Sequence, residues 1–142
     1  MTGMDIFEIS MALMDSIDEN SGEADTADNR EYKVRAPYIL QGIINELYPY
    51  SDTYNTEQNG RPLPLPFSTL DDPVDLDDYL CKSVAPYGLA AALLSGEDAA
   101  MTNFFRQIYE SLKAGAARGV PKSSGDIQDI YGGIEYGYFS RW

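Results

Sequence analysis

The sequence predicts a mainly α protein: a compact bundle of about four helices with a long Pro-rich loop and an extended C-terminal tail. Three observations carry that expectation. Apolar residues recur at helical spacing in four segments, and prolines with an Asn-Gly pair crowd one stretch between 48 and 69. After Gly115 the chain turns to Gly, Pro, Ser and aromatics. With 142 residues, 44% of them hydrophobic and 23% charged, it can build one domain with a real core.

The first helix is expected from about Met4 to Asp18. Ile6, Ile9, Leu13 and Ile17 share a face flanked by Phe7, Met11 and Met14, while Asp5, Glu8 and Asp15 lie opposite. The polar run ENSGEADTADN then competes with helical hydrogen bonding and makes a loop. A second helix covers about Asp28 to Leu47, with Tyr32, Ala36, Ile39, Leu40, Ile43 and Leu47 on its apolar face. Pro37 either starts that helix or kinks a longer one.

From Tyr48 to Thr69 regular helix is not expected, because Asn59-Gly60 is a turn signal and Pro62, Pro64 and Pro66 force extended backbone. RPLPLPF reads either as a loop pinned by Leu63, Leu65 and Phe67 or as a docking strip, and the loop is favoured. The third helix begins in LDDPVDLDDYL with Asp75 as N-cap, and Asp77 and Asp78 complement the dipole in the first turn. Leu76, Leu80, Val84, Tyr87, Ala91 and Leu94 continue its stripe, Pro86 bends it, and Ser95-Gly96 stops it. The fourth runs from about Glu97 to Ala116, burying Met101, Phe104, Phe105, Ile108 and Leu112 and pairing Arg106 with Glu110. The short break makes these two an antiparallel hairpin, with Gly88 and the neighbouring alanines letting Phe104 and Phe105 approach closely. The expected division is residues 1–116 as the helical domain and 117–142 as an aromatic-rich tail.

Charge and composition exclude more than they assign. The formal net charge is -13, all of it within residues 1–116, so nonspecific binding to nucleic acid or an anionic membrane is disfavoured. No histidine is present and Cys81 is the single cysteine, which removes Cys/His zinc sites, Ser-His-Asp and Cys-His catalysis and an internal disulfide. In DSIDENSGEADTAD the EF-hand glycine and terminal glutamate positions hold Glu23 and Asn29, and DDPVDLDD lacks both as well. Gly132-Gly133 is followed by no GK[ST], and Cys81 between Leu80 and Val84 reads as a small packed side chain despite its neighbour Lys82. No catalytic, metal or cofactor residues are assigned, and a non-enzymatic role is expected. No stretch reaches the roughly 20 apolar residues of a bilayer span. MTGMDIFEIS has acids where a signal peptide is basic, so a soluble protein made in a cytoplasm is expected.

The order of MDIFEISMALMD, ADNREYKVRAPYILQGIINEL and LDDPVDLDDYLCKSVAPYGLAAALLSGEDAAMTNFFRQIYESL resembles the small head-tail connector (adaptor) proteins of tailed phages and prophages. YGLAAALLSGEDAAMTNFFRQIYE carries most of that resemblance, which covers roughly residues 4–116; YGGIEYGYFSRW lies outside it. The resemblance implies a virion structural subunit, made in the bacterial host cytoplasm. Such a subunit assembles as a homo-oligomeric ring between the portal protein and tail-completion proteins, and DNA passes through without specific binding. It also implies a C-terminal segment that attaches to a neighbouring ring, which here makes Tyr131, Ile134, Tyr136, Tyr138, Phe139 and Trp142 the candidate partner-binding residues. Ile134, Tyr136 and Tyr138 alternate as strand addition requires, and folding back on the chain's own helices is the other role open to this tail. The alternative function is an acidic phage-encoded inhibitor or DNA mimic that binds a nucleic-acid-processing protein. An enzyme is a third class, with no credible nucleophile to support it.

Overall fold

The structure, a computed structural model, describes residues 1–16, 19–57 and 59–119, and the chain is mainly helical there with no strand among the described residues. Helix α1 (Gly3–Leu13) starts where Thr2 and Asp5 close a capping box. The Asp5 carboxylate accepts the Thr2 N–H at 2.7 Å, and Thr2 Oγ1 accepts the Asp5 N–H at 3.4 Å. Its far end is a Schellman motif, with Ser16 N–H donating to Met11 O and Asp15 N–H to Ala12 O. Asp15 takes the left-handed position there at φ 56°. The buried face is Ile6, Phe7, Ser10 and Met11, while Ile9 and Leu13 are half-buried, so the stripe is rotated from the Ile6-Ile9-Leu13 spacing. Ile17 and Asp18 lie outside the described residues.

The loop that follows is organised by Asn29, 4% exposed, whose side-chain amide donates to the carbonyls of Ser16 and Ala24. Helix α2 (Arg30–Leu47) then buries Ala36, Leu40, Ile43, Ile44 and Leu47. Pro37 sits inside it and does not start it; with no N–H it removes the bond to the Lys33 carbonyl. A 3₁₀ turn, Tyr48–Tyr50, ends the helix. The buried Tyr48 stacks edge-on against Tyr54 at 5.2 Å, and its hydroxyl accepts the Asn55 N–H at 3.1 Å.

The Pro-rich loop is held differently from expectation. Phe67 is buried, but Leu63 and Leu65 are 54% and 62% exposed and are not part of the buried core. Backbone bonds hold it instead: Gln41 Nε2 donates to Phe67 O at 3.0 Å, and Leu65 N–H donates to the Asp75 carboxylate at 3.0 Å. The 70–74 segment then pairs with the start of α1 through Met4 N–H to Leu70 O and Val74 N–H to Met1 O. This close approach needs Gly3, where a Cβ would lie 2.6 Å from Phe67 Cζ and 3.2 Å from the Leu70 Cα.

Asp77, not Asp75, caps the next helical segment by accepting the Leu80 N–H at 2.9 Å. That segment opens with a π-helical turn, Leu80–Val84, and continues as α3 (Ala85–Leu93). The reason is Pro86. In an uninterrupted α-helix its ring would strike the Lys82 carbonyl, and the wider π turn, closed by Ala85 N–H to Leu80 O, relieves that contact. The Pro86 ring is fully buried, and its carbonyl and that of Ile6 each lie 3.0 Å from the Ser10 hydroxyl. Helix α3 is buried on almost every side, including Gly88, Leu89, Ala90, Ala91 and Leu93, because it packs against α1, α2 and α4 together. Arg35 of α2 reaches its C-terminal carbonyls at Ala92 and Leu93, where a cation complements the dipole.

Asp98 caps helix α4 (Ala99–Gly119) through the Met101 N–H, so the helix runs past the expected boundary at 116. Its buried stripe is Phe105, Tyr109 and Ala116; Ile108 and Leu112 are half-buried, and Met101 and Phe104 are exposed. The close approach at Gly88 is accordingly made by Tyr109, not by Phe104 and Phe105: a Cβ on Gly88 would lie 2.8 Å from Tyr109 Cε2. Glu110 pairs with Lys113 at 2.9 Å in place of the expected Arg106.

The caps make stability acid-sensitive. The Thr2 backbone N–H holds the Asp5 carboxyl below its ordinary value of 3.8, and the Thr69 and Ser68 N–H groups do the same for Asp72. A folded pKa below the unfolded one stabilises above the unfolded value, and that contribution is lost as pH falls through the folded one. Thermal melts should therefore lose stability from about pH 4 downward, and Asp5→Asn with Asp72→Asn should flatten that slope. An unchanged slope in the double variant would show that other groups set the acid limb.

Candidate functional site

Elements built for packing leave several apolar side chains uncovered. On α2, Val34 and Tyr38 are 63% and 76% exposed, one turn apart on the face opposite Ala36, Leu40 and Ile43. Arg30 precedes them on the same stripe and is also exposed. On α4, Met101 and Phe104 are exposed, and the Phe104 ring lies 5.6 Å from that of Phe105. Contiguous exposed apolar side chains are the raw material of interaction surfaces.

Two side-chain ties link α2 to the α4 region. The Tyr32 hydroxyl donates to Glu97, while Lys113 bridges Glu46 and Glu110. Glu97 pushes the Tyr32 phenol up to about 12, with desolvation adding to it. Between these ties the Tyr109 hydroxyl is buried with no hydrogen-bond partner, and burial followed by the nearby Glu46 charge raises its pKa.

Several shallow grooves flank the fold. One, of about 670 Å³, runs between α2 and the loops, lined by Met4, Arg30, Val34, Pro37 and Leu70 among others. Another, of about 530 Å³, lies along α1 and is lined by Met1, Asp5, Glu8, Ile9, Ala12 and Lys82. It combines an apolar floor with two carboxylates.

The acidic run turns inward in part. Asp72 accepts the Ser68 and Thr69 N–H groups at 2.8 and 2.9 Å, and Asp77 also accepts the Asp52 N–H at 3.2 Å. Among the described residues no group of three or more Cys, Asp or Glu side chains is arranged to hold a metal ion. Cys81 is buried, with its thiol 3.7 Å from Leu76 O, and desolvation pushes it up to about 11, away from the reactive thiolate form. No helix among the described residues is long and apolar enough to cross a membrane.

The sequence-based candidates Tyr131, Ile134, Tyr136, Tyr138, Phe139 and Trp142 all lie outside the described residues. Val34 and Tyr38 were missed by reading only the inward stripe of α2, whereas Met101 and Phe104 were assigned to the buried face of α4 and are exposed. The available signal was Val34 and Tyr38, spaced one turn apart on the side that the Ala36-Leu40-Ile43-Leu47 face leaves to solvent. No family model, curated protein or solved structure matches this chain.

Proposed function

We propose that this chain is a non-enzymatic virion structural protein, a head-tail connector subunit of a phage or prophage that assembles as a ring between portal and tail. The observation that carries the reading is the pair of uncovered apolar surfaces, Val34 with Tyr38 on α2 and Met101 with Phe104 on α4. A ring subunit meets neighbours through two different surfaces, and separated patches suit that geometry. The strong negative charge suits a conduit that DNA crosses without adhering. The portal and tail-completion proteins are its partners, and the aromatic residues Tyr131, Ile134, Tyr136, Tyr138, Phe139 and Trp142 serve as the attachment to a neighbouring ring.

The inhibitor or DNA-mimic reading has less support, because Asp72, Asp75 and Asp77 engage backbone N–H groups of the same chain instead of forming a phosphate-like outer row. Co-purification with the portal protein of the same gene cluster tests the proposal. Deleting residues 120–142 should abolish attachment to portal or tail while the far-UV spectrum keeps its helical form. Attachment retained by the truncated chain would overturn the role given to the tail, and no attachment by the full chain would overturn the connector reading.

A further inference from the structure

Helix α4 carries most of its charge on one side. Lys113 reaches Glu46 of α2, and Arg106 and Glu110 share that side by helical spacing. Phe104 precedes Lys113 by about two and a half turns, so the two side chains project in opposite directions. Around Phe104 stand Met101, Gln107, Ile108, Ser111 and Leu112, with no charged residue among them. Met101 and Phe104 are exposed, and Ile108 and Leu112 are half-buried. The helix therefore has two apolar stripes. Phe105, Tyr109 and Ala116 meet the core, while Met101, Phe104, Ile108 and Leu112 form a second stripe that the core covers only in part.

We infer that this second stripe seats the chain's own residues 120–142, which fold back along α4 in the free subunit. Chain length and the point of departure favour that occupant. Helix α4 ends at Gly119, and Ala116, one turn earlier, is still buried, so the segment begins at the C-terminal end of the stripe. Phe104 lies about 22 Å back along the helix, a distance that about seven extended residues span. The segment is far longer than that, and it carries Ile130, Tyr131, Ile134, Tyr136, Phe139 and Trp142 to cover apolar surface.

Charge favours the same occupant. The net charge of -13 lies wholly within residues 1–116, so the body of a second copy would bring like charge to the contact. Residues 120–142 set Lys122 and Arg141 against Asp126, Asp129 and Glu135, a near balance that suits an uncharged stripe. The covalent link also holds the segment at an effective concentration on the order of millimolar, ahead of any separate partner. The contact does not depend on the connector reading. Within that reading it adds a regulatory step, because the attachment segment stays stowed and the α4 patch covered until a neighbouring subunit or ring displaces it.

Trp142 is the single tryptophan, so its emission reports the contact in the full chain. At micromolar concentration that emission should be blue-shifted and shielded from acrylamide relative to the same chain in urea. Met101→Asp with Phe104→Asp should shift it to the red and remove the shielding. The helical spectrum should not change, because both side chains are exposed. Tyr136→Trp in a Trp142→Phe chain repeats the measurement further up the segment. Full quenching of both probes, or shielding that survives the double aspartate change, would overturn the inference. Shielding lost on dilution would overturn it too, by placing the segment on a second copy. Portal binding is measured separately. Its absence with shielding retained counts against the connector reading alone, and its presence with an unshielded segment counts against the stowed contact alone.

Discussion

Gly88→Leu is expected to lower the unfolding free energy by about 3 kcal/mol, the upper end of the usual cost of overpacking a core. The first added atom already collides: a Cβ at this position would lie 2.8 Å from Tyr109 Cε2 and 3.0 Å from Cδ2. The ring has no space to swing into, because Tyr109 is only 3% exposed and sits within the main core cluster. Gly88→Ala is a milder case, in which the gain in helix propensity of about 1 kcal/mol offsets part of the collision. Urea denaturation followed by circular dichroism measures both. A leucine variant as stable as the parent would mean that α3 and α4 can separate locally without loss. Combining Gly88→Leu with Tyr109→Ala should recover stability relative to the sum of the single changes, since the two residues share one contact.

Tyr109→Ala alone should cost about 3–5 kcal/mol, the range for removing a buried aromatic ring from a packed interior. Tyr109→Phe should behave in the opposite way and be neutral or stabilising by about 1 kcal/mol. The hydroxyl it removes is buried without a hydrogen-bond partner, so its desolvation is uncompensated. The contrast separates ring packing from the polar group on the same side chain. A phenylalanine variant destabilised by more than about 1 kcal/mol would show that the hydroxyl is bonded to Glu46 in solution.

These two residues also show where a linear reading reaches its limit. The presence of four helices was legible because their apolar residues repeat at the helical period, and the α2 core face of Ala36, Leu40, Ile43 and Leu47 was read correctly. The α4 face was not. Met101, Phe104 and Ile108 are as apolar as the true stripe, so periodicity alone could not rank them against Phe105 and Tyr109. The same holds at LDDPVDLDD, where several aspartates can cap a helix. Asp77 does so because Asp75 is drawn to the Leu65 N–H of the neighbouring loop. Leu63 and Leu65 were misplaced for a related reason: backbone bonds to Gln41 and Asp75 hold the Pro-rich loop, and these need no buried side chain.

The candidate site was the least legible part. An outward Val34 or Tyr38 suits a core by residue type, and its one sign of exposure was a position opposite the Ala36-Leu40-Ile43-Leu47 face. Its exposure follows from which side of α2 meets α3 and which side carries the ties to α4.

By itself the sequence determined the helical class, the loop imposed by Pro62, Pro64 and Pro66, the acidic balance and the lack of histidine chemistry. These depend on residue type and short-range spacing, through backbone sterics and formal charge. Tertiary structure alone decided which face of α4 is inside and why α3 opens with a π turn. Those outcomes depend on three neighbours enclosing one short helix, and such enclosure is a property of the folded chain that no local window contains.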